Sequence, residues 1–395
     1  MCCMLIVISA CRHDDSPEVE IPKDNTVLLY MPWTGNESNS NKDNTLYTFF
    51  MKNIAGVEQA ITEQKGLGTT RVLVYIASSP SQSALVDITY KNNKCVRDTL
   101  KKYSSLDVAT EDGIRTVLDD VQTVSPTPTY SMIVGAHATG WMPRGSAPWY
   151  ASSAKVPHKA FGGSSAKTQT DITTLANAIK TSAIGKLQYI CFDCCYMSNI
   201  ETAYALRNTA DYLIASTSEI MDYGMPYAMI WKHLVATPNY NAVCNEFLDF
   251  YTSYKDPYGT ITAVNCSQVE PLIPMMRTFN TLYEATDEEL EEVQPLDGFD
   301  STVFYDLMDY VEHVSKDPSL TESIRTQLNN IVIATVATPR VFSYYIKMTN
   351  KHYAGDKTYY VNNSCGLTIS DPSTNSDAIT SKTQTEWWKA THNPQ

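Results

Sequence analysis

The sequence predicts an α/β fold: a mainly parallel sheet flanked by helices, with a smaller C-terminal region. Three observations carry this. Short β-rich apolar runs alternate with helical patterns over the first 235 residues. Several runs are apolar on both faces, as buried parallel strands require. Two runs, SMIVGAHATGW and LQYICFDCCYM, stop abruptly at a reactive side chain, His137 in one and Cys195 in the other. Side chains that do chemistry gather in this way outside the carboxyl ends of parallel strands.

The elements follow in order. Strand-like runs fall at 26–32 (TVLLYMP), 71–77 (RVLVYIA), 86–90 (VDITY), 131–136 (SMIVGA), 187–192 (LQYICF) and 212–216 (YLIAS). Helical patterns lie between them at 46–63, 109–124, 175–184 and 197–208. The second helix opens Thr-x-x-Gly, which reads as a poor cap. Alternation of this kind builds βαβ units. Residues 142–169 are rich in Ser, Ala, Gly, Pro and Lys, have no period, and read as a long loop. Loops of that length are commonly functional. Beyond residue 235 come helical patterns at 240–253 and 303–314, an acidic run at 287–292, and β-like runs at 331–335, 341–346 and 365–369.

The bulk numbers bound the function. At 395 residues the chain exceeds one usual domain, so a large domain with an appendage, or two domains, is expected. It is 43% hydrophobic and 18% charged, a globular composition. A formal charge of −13 argues against a nucleic-acid partner, which calls for a basic footprint.

Residues 1–10 are apolar but too short to span a bilayer, and read as the core of a secretory signal. Ile8-Ser9-Ala10-Cys11 resembles a bacterial lipobox, in which Cys11 is lipidated. Residues 1–11 are therefore expected to be signal and lipobox, and 12–25 a polar tether. Export to a lipid-anchored position on the outer membrane, with surface exposure as an option, follows as the expectation. Of ten cysteines, removing Cys2 and Cys3 and lipidating Cys11 leaves seven. An odd number leaves at least one thiol without an intrachain partner.

Cys195 follows a strand and precedes a helical pattern, so a helix N-terminus is expected to stabilise its thiolate. His137 lies 58 residues upstream, enough for one crossover and the loop. A thiol nucleophile with a histidine as its proton partner is the chemistry that pairing suggests. Here HATGW, FDCCYM and the continuation IETAYAL…DYLIASTSEIMDYGMPY resemble the clostripain family of cysteine peptidases, in particular its Bacteroidetes-type lipoprotein members. The resemblance is strong over 26–235 and weaker through FYDLMDYVEHV, CGLTI and TEWWKAT.

The resemblance implies a caspase-like core over 26–235, with 236–395 completing it or appended to it. It implies a cysteine endopeptidase acting on protein or peptide substrates, without an organic cofactor, by a dyad of Cys195 and His137. The backbone N–H groups of Ala138 and Cys195 would form the oxyanion hole. Asp193, and more weakly Asp222, would line a pocket for Arg or Lys at P1. Lys155 and Lys159 are the favoured self-cleavage positions, and a calcium role attaches to the acidic run. Two residues depart from the family pattern. Ala138 stands where glycine is usual, which costs strain if φ there is positive. Cys194 replaces alanine and offers a neighbouring thiol.

Blander readings stand beside these. Cys191-x-x-Cys194-Cys195 lacks the second pair a structural zinc site needs, so no metal site is expected. Cys191 reads as a small core residue. Asp193 is alternatively a cap for the following helix, and Asp222 a turn aspartate. His158, His233, His313 and His352 read as structural, Trp141 as a cleft wall or a packed core residue, and 287–292 as a solvated helix face. A catalytically inactive caspase-like surface-binding lipoprotein is the rival to the peptidase, with Ala138 its main ground.

Overall fold

The doubly apolar runs near residues 26 and 131 become neighbouring strands at the middle of a nine-stranded sheet. A computed structural model describes residues 22–32, 46–79, 81–142, 161–162, 168–344 and 347–392. The sheet strands, in chain order, are β1 (Asn25–Met31), β2 (Thr70–Ser79), β3 (Gln82–Lys91), β4 (Lys94–Ser104), β5 (Thr129–Gly135), β6 (Leu187–Asp193), β7 (Ala210–Ala215), β8 (Thr260–Asn265) and β9 (Val332–Ala337). Their spatial order is β9-β8-β7-β6-β5-β1-β2-β3-β4. The five central strands, β7 to β2, run parallel. An antiparallel pair closes each edge: β3 and β4 on one side, β8 and β9 on the other.

Burial explains the order. All seven residues of β1 are buried, and a fully buried Val or Leu is worth about 1.5–3 kcal/mol. Such a strand is stable only where helices cover both faces. β4, KCVRDTLKKYS, is mostly exposed and among the described residues pairs with β3 alone. Its charged side chains suit an unpaired edge, and they erase the apolar signal that marks the other strands.

Helices cover both faces. Along β6, Leu187, Ile190 and Phe192 join one core with α2 (Glu111–Val124), α3 (Ile172–Thr181) and α4 (Ile200–Leu206). Tyr189 and Cys191 point the other way, into a core shared with α1 (Leu46–Glu63) and α5 (Tyr240–Ser253). In α1 the buried set is Phe50, Asn53, Ile54, Val57, Ala60 and Ile61, a 3.6-residue stripe.

The cap of α2 differs from expectation. Thr110 is extended, and its hydroxyl accepts the Gly113 N–H at 3.2 Å. Thr-x-x-Gly is thus a working N-cap. Glycine is needed at 113 because a Cβ would overlap the Asp107 carbonyl.

The expected long loop also carries structure where it is described. His137–Ala138, Phe161–Gly162 and Gln169–Thr170 form a small antiparallel sheet. Residues after 235 supply β8 and β9 to the main sheet. Near the C-terminus the chain returns to the site: Thr368 N–H donates to the Ser198 carbonyl (3.1 Å), and Ser198 Oγ donates to the Gly366 carbonyl (2.7 Å).

Candidate active site

The register of β5 and β6 builds the site. Gly135 and Asp193 are direct partners on these parallel strands. His137 and Cys195 therefore each stand two residues past the same rung. Both are partly exposed at the carboxyl end of the sheet.

The two adjacent cysteines point apart. Cys194 is 2% exposed, packs in the same core as Phe192, and donates its Sγ–H to the Val134 carbonyl at 3.3 Å. Cys195 packs instead against a third cluster holding Trp141, Met142, Tyr196, Phe299 and Phe304. Its Sγ accepts the Ile220 N–H at 3.4 Å. Trp141 is a packed side chain of this cluster, 4% exposed, and its indole N–H donates to Ser370 Oγ at 2.8 Å.

The expected helix dipole does not reach Cys195. Residues 194–199 leave the strand in a turn with Tyr196 at φ +60°, and α4 begins only at Ile200. Asn199 caps α4, its side chain accepting the Thr202 N–H at 2.7 Å. The first-turn donor is thus already used. Burial, with the nearby Glu219 carboxylate second, pushes the Cys195 thiol up to about 12 rather than down.

Ala138 lies in a two-residue strand paired with Phe161, not in the left-handed region. Alanine there costs no φ strain. The left-handed glycine of the HATG turn is Gly140, at φ +63°, where a Cβ would stand 2.8 Å from the Phe304 ring and the Tyr196 carbonyl oxygen.

Asp193 is buried on the α1 side of the sheet. Its Oδ1 accepts the Met225 N–H at 3.1 Å and its Oδ2 the Tyr227 hydroxyl at 2.9 Å. It does not cap α4. Burial raises its carboxyl to about 6, against the pull of those two donors. Asp222 is an exposed residue of the turn that precedes this clamp. The lipobox Cys11, Lys155, Lys159 and His158 lie outside the described residues.

The remaining expectations divide. Cys191 and Cys194 face opposite sides of the sheet, which explains why CxxC forms neither a metal pair nor a redox pair. The seven described cysteines are all free thiols. Asp287–Glu292 is a short helix with no buried residue, so its acids are solvated. His313 Nδ1 bonds the Asp309 carbonyl at 2.8 Å, His233 meets Glu246 at 3.4 Å, and His352 is buried; these are structural. Among the described residues no cluster of three or more His, Cys, Asp or Glu could hold a metal.

The sequence reading missed three partners of the site. Glu219 and Ile220 bond Tyr196 and Cys195 from the loop after β7, and Gly224 closes over Asp193. Only the glycine in DYGMPY left a signal.

A helix-covered parallel sheet that brings a histidine and a cysteine to adjacent strand ends is the architecture of a cysteine peptidase. The family model described as the clostripain family matches residues 40–388, and the chain belongs to that family. C11 cysteine proteases are generally cofactor-independent. The chain is similar to a secreted C11 cysteine protease from Bacteroides thetaiotaomicron, "iotapain". They share 36% identity and a TM-score of 0.83, over 94% of this chain and 100% of that one. It is also similar to a clostripain from Bacteroides thetaiotaomicron in complex with the peptide inhibitor BTN-VLTK-AOMK, at 41% identity and TM-score 0.55, over 59% of this chain and 100% of that one. An inactive zymogen C11 protease from Parabacteroides distasonis shares the fold at 23% identity and TM-score 0.76, over 94% of this chain and 99% of that one. No curated protein matches the chain.

Proposed function

We propose that the chain is an exported cysteine endopeptidase that cleaves after Arg or Lys, with Cys195 as nucleophile and His137 as its proton partner. The shared rung of Gly135 and Asp193 carries this reading, because it sets both side chains the same two residues beyond the sheet.

Reaction begins with proton transfer from the thiol to the histidine. His137 takes the Cys195 proton as the sulfur attacks the scissile carbonyl carbon. The carbonyl oxygen becomes an oxyanion facing the backbone N–H groups of Ala138 and Cys195; such a donor is worth about 3–4 kcal/mol of barrier. His137 returns the proton to the leaving amine as the C–N bond breaks. It then deprotonates water, which hydrolyses the thioester and restores the thiol.

Asp193 is the proposed anchor for a basic P1 side chain, with Asp222 at the rim. Support comes from its buried carboxylate, two residues before the nucleophile, and from the peptide VLTK in the inhibitor bound to the 41% identical relative. Export is supported by that description of the 36% identical relative as secreted. Cys11 as the lipid anchor to the outer membrane, 12–25 as tether, and Lys155 or Lys159 as self-cleavage sites complete the proposal.

Turnover of matched Arg, Lys and neutral P1 peptides by wild type and Cys195→Ala tests it. Basic-P1 cleavage that vanishes in Cys195→Ala is expected; equal turnover by both proteins overturns it. Intact mass tests self-cleavage: two fragments in wild type and one chain in Cys195→Ala are expected.

A further inference from the structure

Two separated segments meet on one carboxylate beside the nucleophile. Glu219 Oε1 accepts the Tyr196 hydroxyl (2.9 Å), the Tyr344 N–H (2.8 Å) and the Ser343 hydroxyl (3.3 Å). The next residue, Ile220, donates its N–H to Cys195 Sγ. The dipeptide 219–220 therefore grips both halves of the Cys195–Tyr196 step, one through its carboxylate and one through its backbone.

That step needs holding. Tyr196 is a non-glycine residue at φ +60°, a conformation that persists only where the surroundings impose it. Its ring is stacked on Phe304, with centroids 4.9 Å apart and planes 8° apart, and its N–H donates to the Ser218 carbonyl at 3.0 Å. Ser343 is fully buried and also accepts the Gly298 N–H at 3.0 Å, so the far side of the clamp is fixed in turn.

We propose that Glu219 is a positioning residue for Cys195, fixing the strained Cys195–Tyr196 turn to the Ser343–Tyr344 segment so that the sulfur faces the cleft. The role rests on the peptidase reading for its catalytic meaning. Its physical content, the coupling of a carboxylate to a thiol, does not.

The carboxylate also opposes ionisation of the thiol it positions, since like charges repel. The other charged groups that bear on this balance are Asp193 on the nucleophile's own strand, and Lys357 and Asp297 near Glu219. Removing the charge while keeping an acceptor oxygen separates the two effects.

The test uses the full chain with Glu219→Gln, Glu219→Ala, Tyr196→Phe and the Glu219→Ala/Tyr196→Phe double variant. Two quantities are read: kcat and KM on the best basic peptide, and the pH midpoint of Cys195 alkylation by iodoacetamide, located by peptide mass spectrometry. Glu219→Ala is expected to lower kcat about tenfold with KM changed less than about twofold, the signature of lost positioning. Tyr196→Phe should lower kcat less than additively with it, because both variants break the same bond. Glu219→Gln should move the alkylation midpoint to lower pH and retain more activity than Glu219→Ala. An unchanged midpoint in a folded Glu219→Gln protein overturns the proposal, as does full additivity in the cycle. If wild type turns over no peptide, the peptidase reading fails and the midpoint alone decides the coupling. If Glu219→Ala does not fold, the Gln variant decides.

Discussion

Gly224 lies against Asp193 so closely that a Cβ on the glycine would stand 2.7 Å from both carboxylate oxygens. Gly224 also sits at φ +74°, the region other residues enter at a cost. Gly224→Ala combines that cost with a clash. It is expected to destabilise the protein by roughly 1–3 kcal/mol and to lower basic-P1 turnover more than neutral-P1 turnover. Thermal melts and a P1 peptide panel check both parts.

Asp193→Asn keeps the side-chain shape and one acceptor oxygen and removes the charge. A charge-assisted contact to Arg or Lys is worth about 1.5–3 kcal/mol, so basic-P1 kcat/KM should fall about tenfold or more. Neutral-P1 turnover should stay nearly constant. Equal losses on both substrates would show that Asp193 serves the fold and not the pocket.

Ala138→Gly places the family's usual residue beside His137. Because Ala138 is extended and paired with Phe161, the glycine relieves nothing and adds backbone freedom. No gain in kcat is expected, with a small loss in melting temperature. Gly140→Ala, by contrast, meets Phe304 and the Tyr196 carbonyl oxygen and should cost both stability and activity. A rise in kcat for Ala138→Gly would mean that the oxyanion donor is misplaced by alanine.

Buried carboxyls set the pH dependence of stability. Burial raises Asp193, Asp306 and Asp371 to about 6, Asp297 to about 7 and Glu201 to about 8. A raised acid holds protons in the folded state that the unfolded chain has already released. Its contribution is complete below its unfolded pKa and lost as pH rises through the folded value. Buried His352 and His392, lowered by burial, work against stability only as pH falls below about 6.5. Between pH 6.5 and 8.5 Asp297 and Glu201 titrate inside the window, and the thiols of Cys191, Cys194, Cys244 and Cys266, raised by burial, add a loss of the same sign at its upper end. Melting temperature should fall steadily across it; a rise would contradict the protonated assignment.

The central strands were legible because β1, β5 and β6 are apolar on both faces. β4 was not, since among the described residues β3 is its one strand partner and its exposed face is lysine, arginine and aspartate. Helix α4 was expected from residue 197, but Tyr196 turns left-handed and Asn199 caps the helix late. A short apolar pattern cannot show that. His137 and Cys195 were legible as strand ends. Their common rung is a matter of register between distant segments, and the Glu219 clamp ties Tyr196, 23 positions away, to Ser343 and Tyr344, 124 and 125 positions away. No local spacing encodes either one.

The most direct measurement treats wild type, Cys195→Ala, Cys194→Ala and His137→Ala with a peptidyl-lysine acyloxymethyl ketone and locates the adduct by peptide mass spectrometry. Cys194 is turned into the core and bonded to the Val134 carbonyl, whereas Cys195 is partly exposed at the strand end. The adduct should therefore sit on Cys195 in wild type, persist in Cys194→Ala, vanish in Cys195→Ala, and form far more slowly in His137→Ala. Labelling that survives Cys195→Ala, or that depends on Cys194, would contradict Cys195 as the nucleophile.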